Sequence, residues 1–302
     1  MRRPRSGQYL DVSLVVIAAL AASTSGPLAK AASGLSAIGV GAGRCGVAAL
    51  VLFALAPRET FATLAALDRR TRLAVAGAGL LLAAHFALFL GGLANTSLPA
   101  AVALVSLEPL MVVLAGWMTF GLRPNAFELG GVVVAMLGAA VVTHGAGEGE
   151  HRWLGDVMVV AAAAVYGAYV MAARGLRERL PMVAYASAVF GAAFLFLTPF
   201  ALWLAASAPP PPATTWWIVL AMGLLPTVVG HTLIQRLSRR VAPSVVALVS
   251  PGETVGSIAI GLLMLSAWPT MHEWIGAGLV VSGAALAVVG AGRGAGRGVT
   301  IP

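Results

Sequence analysis

"VALVSLE" at residues 102–108 and "VALVSPGE" at residues 246–253 write the same apolar phrase twice, and each copy closes on a glutamate. The register extends beyond the phrase. At an offset of 144, Pro99 falls on Pro243 and residues 102–106 on 246–250. After one inserted residue, at an offset of 145, Glu108 falls on Glu253, Pro124 on Pro269, Glu128 on Glu273, Gly131 on Gly276 and Gly138 on Gly283. Alanines and valines recur by chance in so apolar a chain, but prolines, glutamates and glycines do not recur in register. The chain is read as a duplication.

The duplicated unit belongs in a membrane. Of 302 residues 59% are apolar and 10% charged, and the mean hydropathy is +0.92. Apolar runs of about 20 residues, each enough to cross a hydrocarbon core of roughly 30 Å as a helix, fall at 11–31, 36–56, 73–94, 98–119, 127–143, 154–173, 182–206, 215–236, 243–266 and 273–290. The expected fold is therefore an all-α polytopic membrane protein of ten helices. Five spans per copy force the second copy into the bilayer upside down, giving an inverted repeat with halves 1–145 and 146–290 and a basic tail at 291–302.

A net charge of +8 and pI near 11 suggest a nucleic-acid partner in a soluble protein, but here the placement of the charge matters more. Arginines cluster in alternate loops: Arg2, Arg3 and Arg5; Arg58, Arg69, Arg70 and Arg72; Arg123; Arg174, Arg177 and Arg179; Arg236, Arg239 and Arg240; Arg293 and Arg297. The positive-inside bias puts both termini in the cytoplasm. Trp153, Trp203, Trp216, Trp217, Trp268 and Trp274 fall at the opposite, external ends, as an interfacial aromatic belt does. The start "MRRPRSGQYLDVSLVVIAALAAS" has the shape of a secretory signal but, with nine spans downstream, reads as an uncleaved first helix. "APPPP" at 208–212 reads as a stiff external connector. A single cysteine, Cys45, excludes a disulfide framework.

A family resemblance rests on "SLEPLMVVLAGWMTFGLRPNAFELGGVVVAMLGAAVV" (106–142), on "VAPSVVALVSPGETVGSIAIGLLML" and "WIGAGLVVSGAALAVVG" in the second half, and on Arg44 in "GAGRCGVAALVLF". These resemble tandem EamA domains of the drug/metabolite transporter superfamily and cover nearly the whole chain. The resemblance implies a ten-helix exporter of small organic molecules, amino acids among them. The second copy departs from the family pattern, with "SPGET" where glutamate is usually followed by proline.

Polar residues deep in the spans are the candidate pathway. Glu108 lies about ten residues into its span, where an ionised carboxylate costs at least about 2.5 kcal/mol and so must face a cavity, pair, or carry a proton. It reads either as a site for a cargo ammonium or a proton, or as a neutral carboxyl tying helices together. Glu253 lies at the equivalent depth. Arg44, roughly 12 Å inside its helix, needs a partner, for which a cargo carboxylate and Glu108 both qualify. His85 shares a helix face with Phe89, and His231 with Gln235; each pair suits an amphipathic metabolite or a plain interhelical hydrogen bond. Ser106, Tyr166 and Tyr169 complete the expected lining. Gly26 and Pro27 in "STSGPLAK", and Pro109 after Glu108, are expected hinges or static kinks. Gly39 with Gly43 and Gly252 with Gly256 invite close helix approach, within a protomer or between protomers. Lys30 falls on Arg174, both near helix ends.

Neither a GxxxxGK[ST] loop nor zinc-ligand spacing occurs, so the expected driver is neither ATP nor a metal cofactor. The leading reading is a secondary exporter of a small metabolite in the plasma membrane, with protons a candidate coupling ion. An uncoupled facilitative pathway comes second. A membrane-embedded enzyme comes last, because the spans carry scattered single polar groups in place of a clustered acid, base and metal set.

Overall fold

The computed structural model describes residues 6–121, 124–145, 151–237 and 249–294, and among them all regular structure is helical. In chain order the helices are α1 Ser6–Ser23, α2 Ser25–Ala31, α3 Ala37–Leu55, α4 Pro57–Ala66, α5 Arg69–Ala94, α6 Leu98–Val105, α7 Glu108–Phe120, α8 Ala126–His144, α9 Trp153–Arg179, α10 Met182–Ala205, α11 Ala213–Met222, a π-helix Gly223–His231, α12 Thr232–Leu237, α13 Val249–Leu265 and α14 Met271–Gly294. Eight of the resulting runs are long and apolar enough to cross a membrane. A shorter apolar helix, Gly252–Leu265, occupies the stretch expected for the ninth, whose start at residue 243 lies outside the described residues, as does the tail beyond Gly294. Leu263, Met118, Trp268 and Trp203 are more than 70% exposed, as lipid-facing side chains are. The short α4, unanticipated in a basic loop, starts on Pro57, which needs no amide hydrogen at a first helical position.

Where chain direction reverses, capping residues stop and restart the helices. Ser36, Asp68, Ser97 and Asn125 each accept a hydrogen bond from an amide of the first turn that has no partner within the helix. Asn125 forms a reciprocal capping box with Glu128, and Thr270 with Glu273 repeats it at the equivalent place in the second half.

Packing follows the duplication. The principal pairings are α8 with α14, α3 with α10 and α5 with α9. Pairings that exchange under a swap of halves include α7–α9 with α1–α13, and α5–α9 with α1 against the π-helix. The α8–α14 contact is made by the glycines that the repeat aligned: a Cβ on Gly131 would lie 2.5 Å from the Gly283 carbonyl oxygen, and one on Gly138 2.8 Å from that of Gly276. Gly131 meets the equivalent of Gly138 and Gly138 the equivalent of Gly131, so the two helices run antiparallel about a local two-fold. Accordingly α14 starts beside the end of α8, with the His144 and His272 rings 5.7 Å apart.

Candidate functional site

Three of the membrane helices are broken, and each break traces to a proline whose missing N–H and bulky ring disturb the carbonyl four residues back. Pro27 disturbs the carbonyl of Ser23, which instead accepts the Ser257 hydroxyl of α13 at 2.8 Å. Pro226 disturbs that of Met222, which accepts the Thr227 hydroxyl at 2.8 Å, and the surrounding stretch Gly223–His231 is wound as the π-helix. In the fourth span α6 stops at Val105, whose carbonyl stands four residues before Pro109, and α7 restarts at Glu108; between them the Ser106 hydroxyl donates to the Val102 carbonyl at 3.0 Å. Irregular backbone at membrane depth is tolerated where it is buried in protein or lines a cavity.

Here it lines a cavity of about 120 Å³, well above the roughly 10–15 Å³ that one water needs. Arg44 from α3 is 7% exposed, and its guanidinium is held on three sides. Its Nε donates to Thr227 Oγ1 at 2.7 Å, Nη1 donates to Ser25 Oγ at 2.9 Å, and its carbon lies 4.4 Å from the centre of the Phe86 ring. Among the described residues no carboxylate stands within ion-pair distance of it. Its partners in the structure are therefore hydroxyls placed by two of the proline breaks, where the sequence had offered a cargo carboxylate or Glu108. Its remaining N–H groups share the cavity with Glu108 and Glu253.

His85 connects the acid to the aromatic wall. Its Nδ1 lies 3.1 Å from the Ala162 carbonyl oxygen, an acceptor only, so Nδ1 carries the hydrogen of that bond. Nε2 then faces Glu108 Oε1 at 3.7 Å, and one proton between them decides whether the two are a neutral pair or an ion pair. The imidazole lies parallel to Phe89 at 6.2 Å and tilted against Phe86 and Tyr166 at 5.1 and 5.2 Å. Across the cavity His231, from the π-helix, meets Phe190 edge-on at 5.8 Å.

Of the expected lining, Arg44, His85, Phe89, Ser106, Glu108, Tyr166, His231 and Glu253 all border this one cavity. Tyr169 does not: it is buried behind Tyr166, its hydroxyl 3.3 Å from that of Tyr185. The side chain of Gln235 lies outside the described residues. Gly26 is a point of close approach, where a Cβ would lie 2.9 Å from Leu98 Cδ1. Sequence reading missed Ser25, Thr227, Phe86 and Phe190. A signal for Thr227 was present in "LPTVVGH", a hydroxyl directly after a mid-span proline; Ser25 carried a weaker one, and the two phenylalanines none.

A duplicated bundle of broken membrane helices around a central polar cavity is the architecture of a carrier. The profile of the EamA-like transporter family matches residues 10–144 and again 153–289, so the chain belongs to that family, with two repeats spanning it. It is a multi-pass plasma-membrane transporter of the drug/metabolite type, handling small molecules within the lipid bilayer. Among curated proteins none matches the sequence significantly. Among solved structures, one titled only "Crystal structure of protein" superposes with a TM-score of 0.65 at 19% identity, over 95% of this chain and 98% of the other; that likeness shows the fold alone.

Proposed function

We propose that the protein is a secondary exporter of a small organic metabolite, an amino acid or related compound, across the bacterial inner membrane by alternating access. The reading takes the chain as ten spans in two inverted halves, 1–145 and 146–290, with a cytoplasmic tail at 291–302 and both termini in the cytoplasm. Two similar halves in opposite orientations provide two states of nearly equal energy, open to opposite sides. The observation that carries it is the convergence of Glu108 and Glu253, equivalent residues of the two repeats, with Arg44 on one central cavity. Arg44 suits a cargo carboxylate, the glutamates suit its ammonium group, and the aromatic wall of Phe86, Phe89 and Tyr166 suits its side chain. Glu108 and His85 share a proton that cargo displaces. Pro27 and Pro109, with Gly26, are the flexing points of the first half.

Counterflow of radiolabelled amino acids and analogues into liposomes holding purified protein tests this. Wild-type protein exchanges a cargo, and Glu108→Gln removes any dependence of that exchange on an imposed pH gradient. Failure of every candidate cargo to exchange defeats the reading. Exchange that ignores a pH gradient in the wild type points to the uncoupled pathway instead.

A further inference from the structure

At the end of the molecule where α2 and α5 stop and α9 and α14 start, a second polar cluster is buried, distinct from the central cavity. His151, Asp156 and Glu273 are each 1% exposed and Thr96 is fully buried. His151 Nε2 is 2.7 Å from Asp156 Oδ2, and its Nδ1 is 3.7 Å from Glu273 Oε1. Other donors also reach the two carboxylates. Thr96 donates to Asp156 Oδ1 at 2.8 Å, Ser97 donates to Glu273 Oε1, and the Thr270 amide donates to Glu273 Oε2 at 2.7 Å. Lys30 donates to the carbonyls of Leu93 and Thr96 at 3.2 and 3.0 Å. The acceptor carboxylates belong to the second repeat and Thr96, Ser97 and Lys30 to the first, so the cluster bridges the halves.

We propose that this cluster is a proton-binding site whose protonated form latches the two repeats together at this end. The position of the ring decides it, because both of its nitrogens face buried carboxylates. An imidazolium at His151 gives each nitrogen a hydrogen to point at a carboxylate. A neutral imidazole turns a lone pair toward one of them, an arrangement that burial penalises heavily. The closed end therefore takes up a proton, and acid favours closure. The titratable groups next to the cluster in sequence are His272 on α14, which packs against His144 of α8, and the exposed Arg152 that precedes α9; Glu148 and Glu150 lie outside the described residues. Resting on the exporter reading, in which this end faces outward, the latch lets external protons close the outer gate after cargo leaves.

Spin labels at Ala94→Cys and Trp268→Cys test it, one in each repeat and both exposed at this end. The sole native thiol, Cys45, is buried. In nanodiscs, wild-type protein is expected to shift from a long to a short interlabel distance as pH falls from about 8 to about 5, the range over which histidine titrates. His151→Gln is expected to hold the long distance throughout. Glu273→Gln removes one negative charge yet keeps a side chain able to form the capping box, so it is expected to hold the short distance at both pH values. A wild-type pH response in His151→Gln overturns the proposal. Should His151→Gln fail to give monodisperse protein, Glu273→Gln decides alone, and a wild-type response there overturns it. The distances need no cargo, so an intact response in protein that exchanges nothing in liposomes defeats the exporter reading and leaves the latch standing.

Discussion

Glu273 and Glu128 occupy the same position of the two repeats, form the same kind of helix cap, and differ in almost everything else. Glu273 is 1% exposed and joined to Ser97, Thr270 and His151; Glu128 is half-buried and bonded only within its own cap. Their neighbours diverge in the same sense. Lys30 is half-buried and reaches the backbone carbonyls of Leu93 and Thr96, whereas its equivalent Arg174 is exposed, its guanidinium 5.9 Å from the Phe120 ring. Because α8 and α14 are antiparallel, the two glutamates mark opposite ends of the molecule. Two ends built from equivalent residues are thus closed to different degrees, and the difference is a property of the conformation as much as of the sequence.

The hardest test of that contrast removes both carboxylates. Glu273→Ala is expected to cost about 3–5 kcal/mol, because it strips one partner from a buried charged network, while Glu128→Ala costs about 1 kcal/mol, the worth of an accessible cap. Thermal unfolding in detergent reads both, and equal losses would break the comparison. Next comes Thr227→Val, which leaves the Met222 carbonyl and Arg44 Nε each short of a partner. It is expected to cost about 1–3 kcal/mol and to lower exchange in liposomes, with Ser25→Ala showing the smaller loss of one acceptor.

An effect of similar size separates glycines that look alike in sequence. Gly131→Ala drives a Cβ into the Gly283 carbonyl and Ala287, and is expected to cost about 1–3 kcal/mol. Gly278→Ala, in α14 but with nothing within 4 Å of its new atom, is expected to be neutral or stabilising by up to about 1 kcal/mol. The smallest effect is at Asp68, the exposed cap of α5, which serves as the reference for a carboxylate that no tertiary contact holds. Hydrogen bonds from Thr71 hold its carboxyl below the usual carboxylate range. A lowered folded-state value means that its contribution is present at neutral pH and fades as pH falls through that value, below the ordinary figure of about 3.9. The melting difference between wild type and Asp68→Ala is expected to be small near pH 7 and to vanish in acid.

Much of the fold was legible beforehand. Eight of the expected spans recur as helices within a few residues of their expected ends, since length and apolarity act locally. The caps Ser97, Asp68 and Asn125 were seen only in the structure. His85 and His231 were less tractable: they stand 146 residues apart where the repeat offset is 144, yet both border one cavity, His231 from the π-helix Gly223–His231 that contains Pro226. The burial of Asp156 and His151 had no local signal, both standing at the polar entry to a span where a solvated side chain is the ordinary outcome.

Sequence alone determined that the chain is a duplicated set of apolar helices with a few polar groups at mid-depth, because hydropathy, proline placement and internal register are written along the chain. Only the tertiary structure decided which groups satisfy one another. Arg44 meets Ser25, 19 residues before it, and Thr227, 183 after it, and a buried cation takes whatever acceptors helix packing brings within 3 Å, a choice that no local stretch encodes.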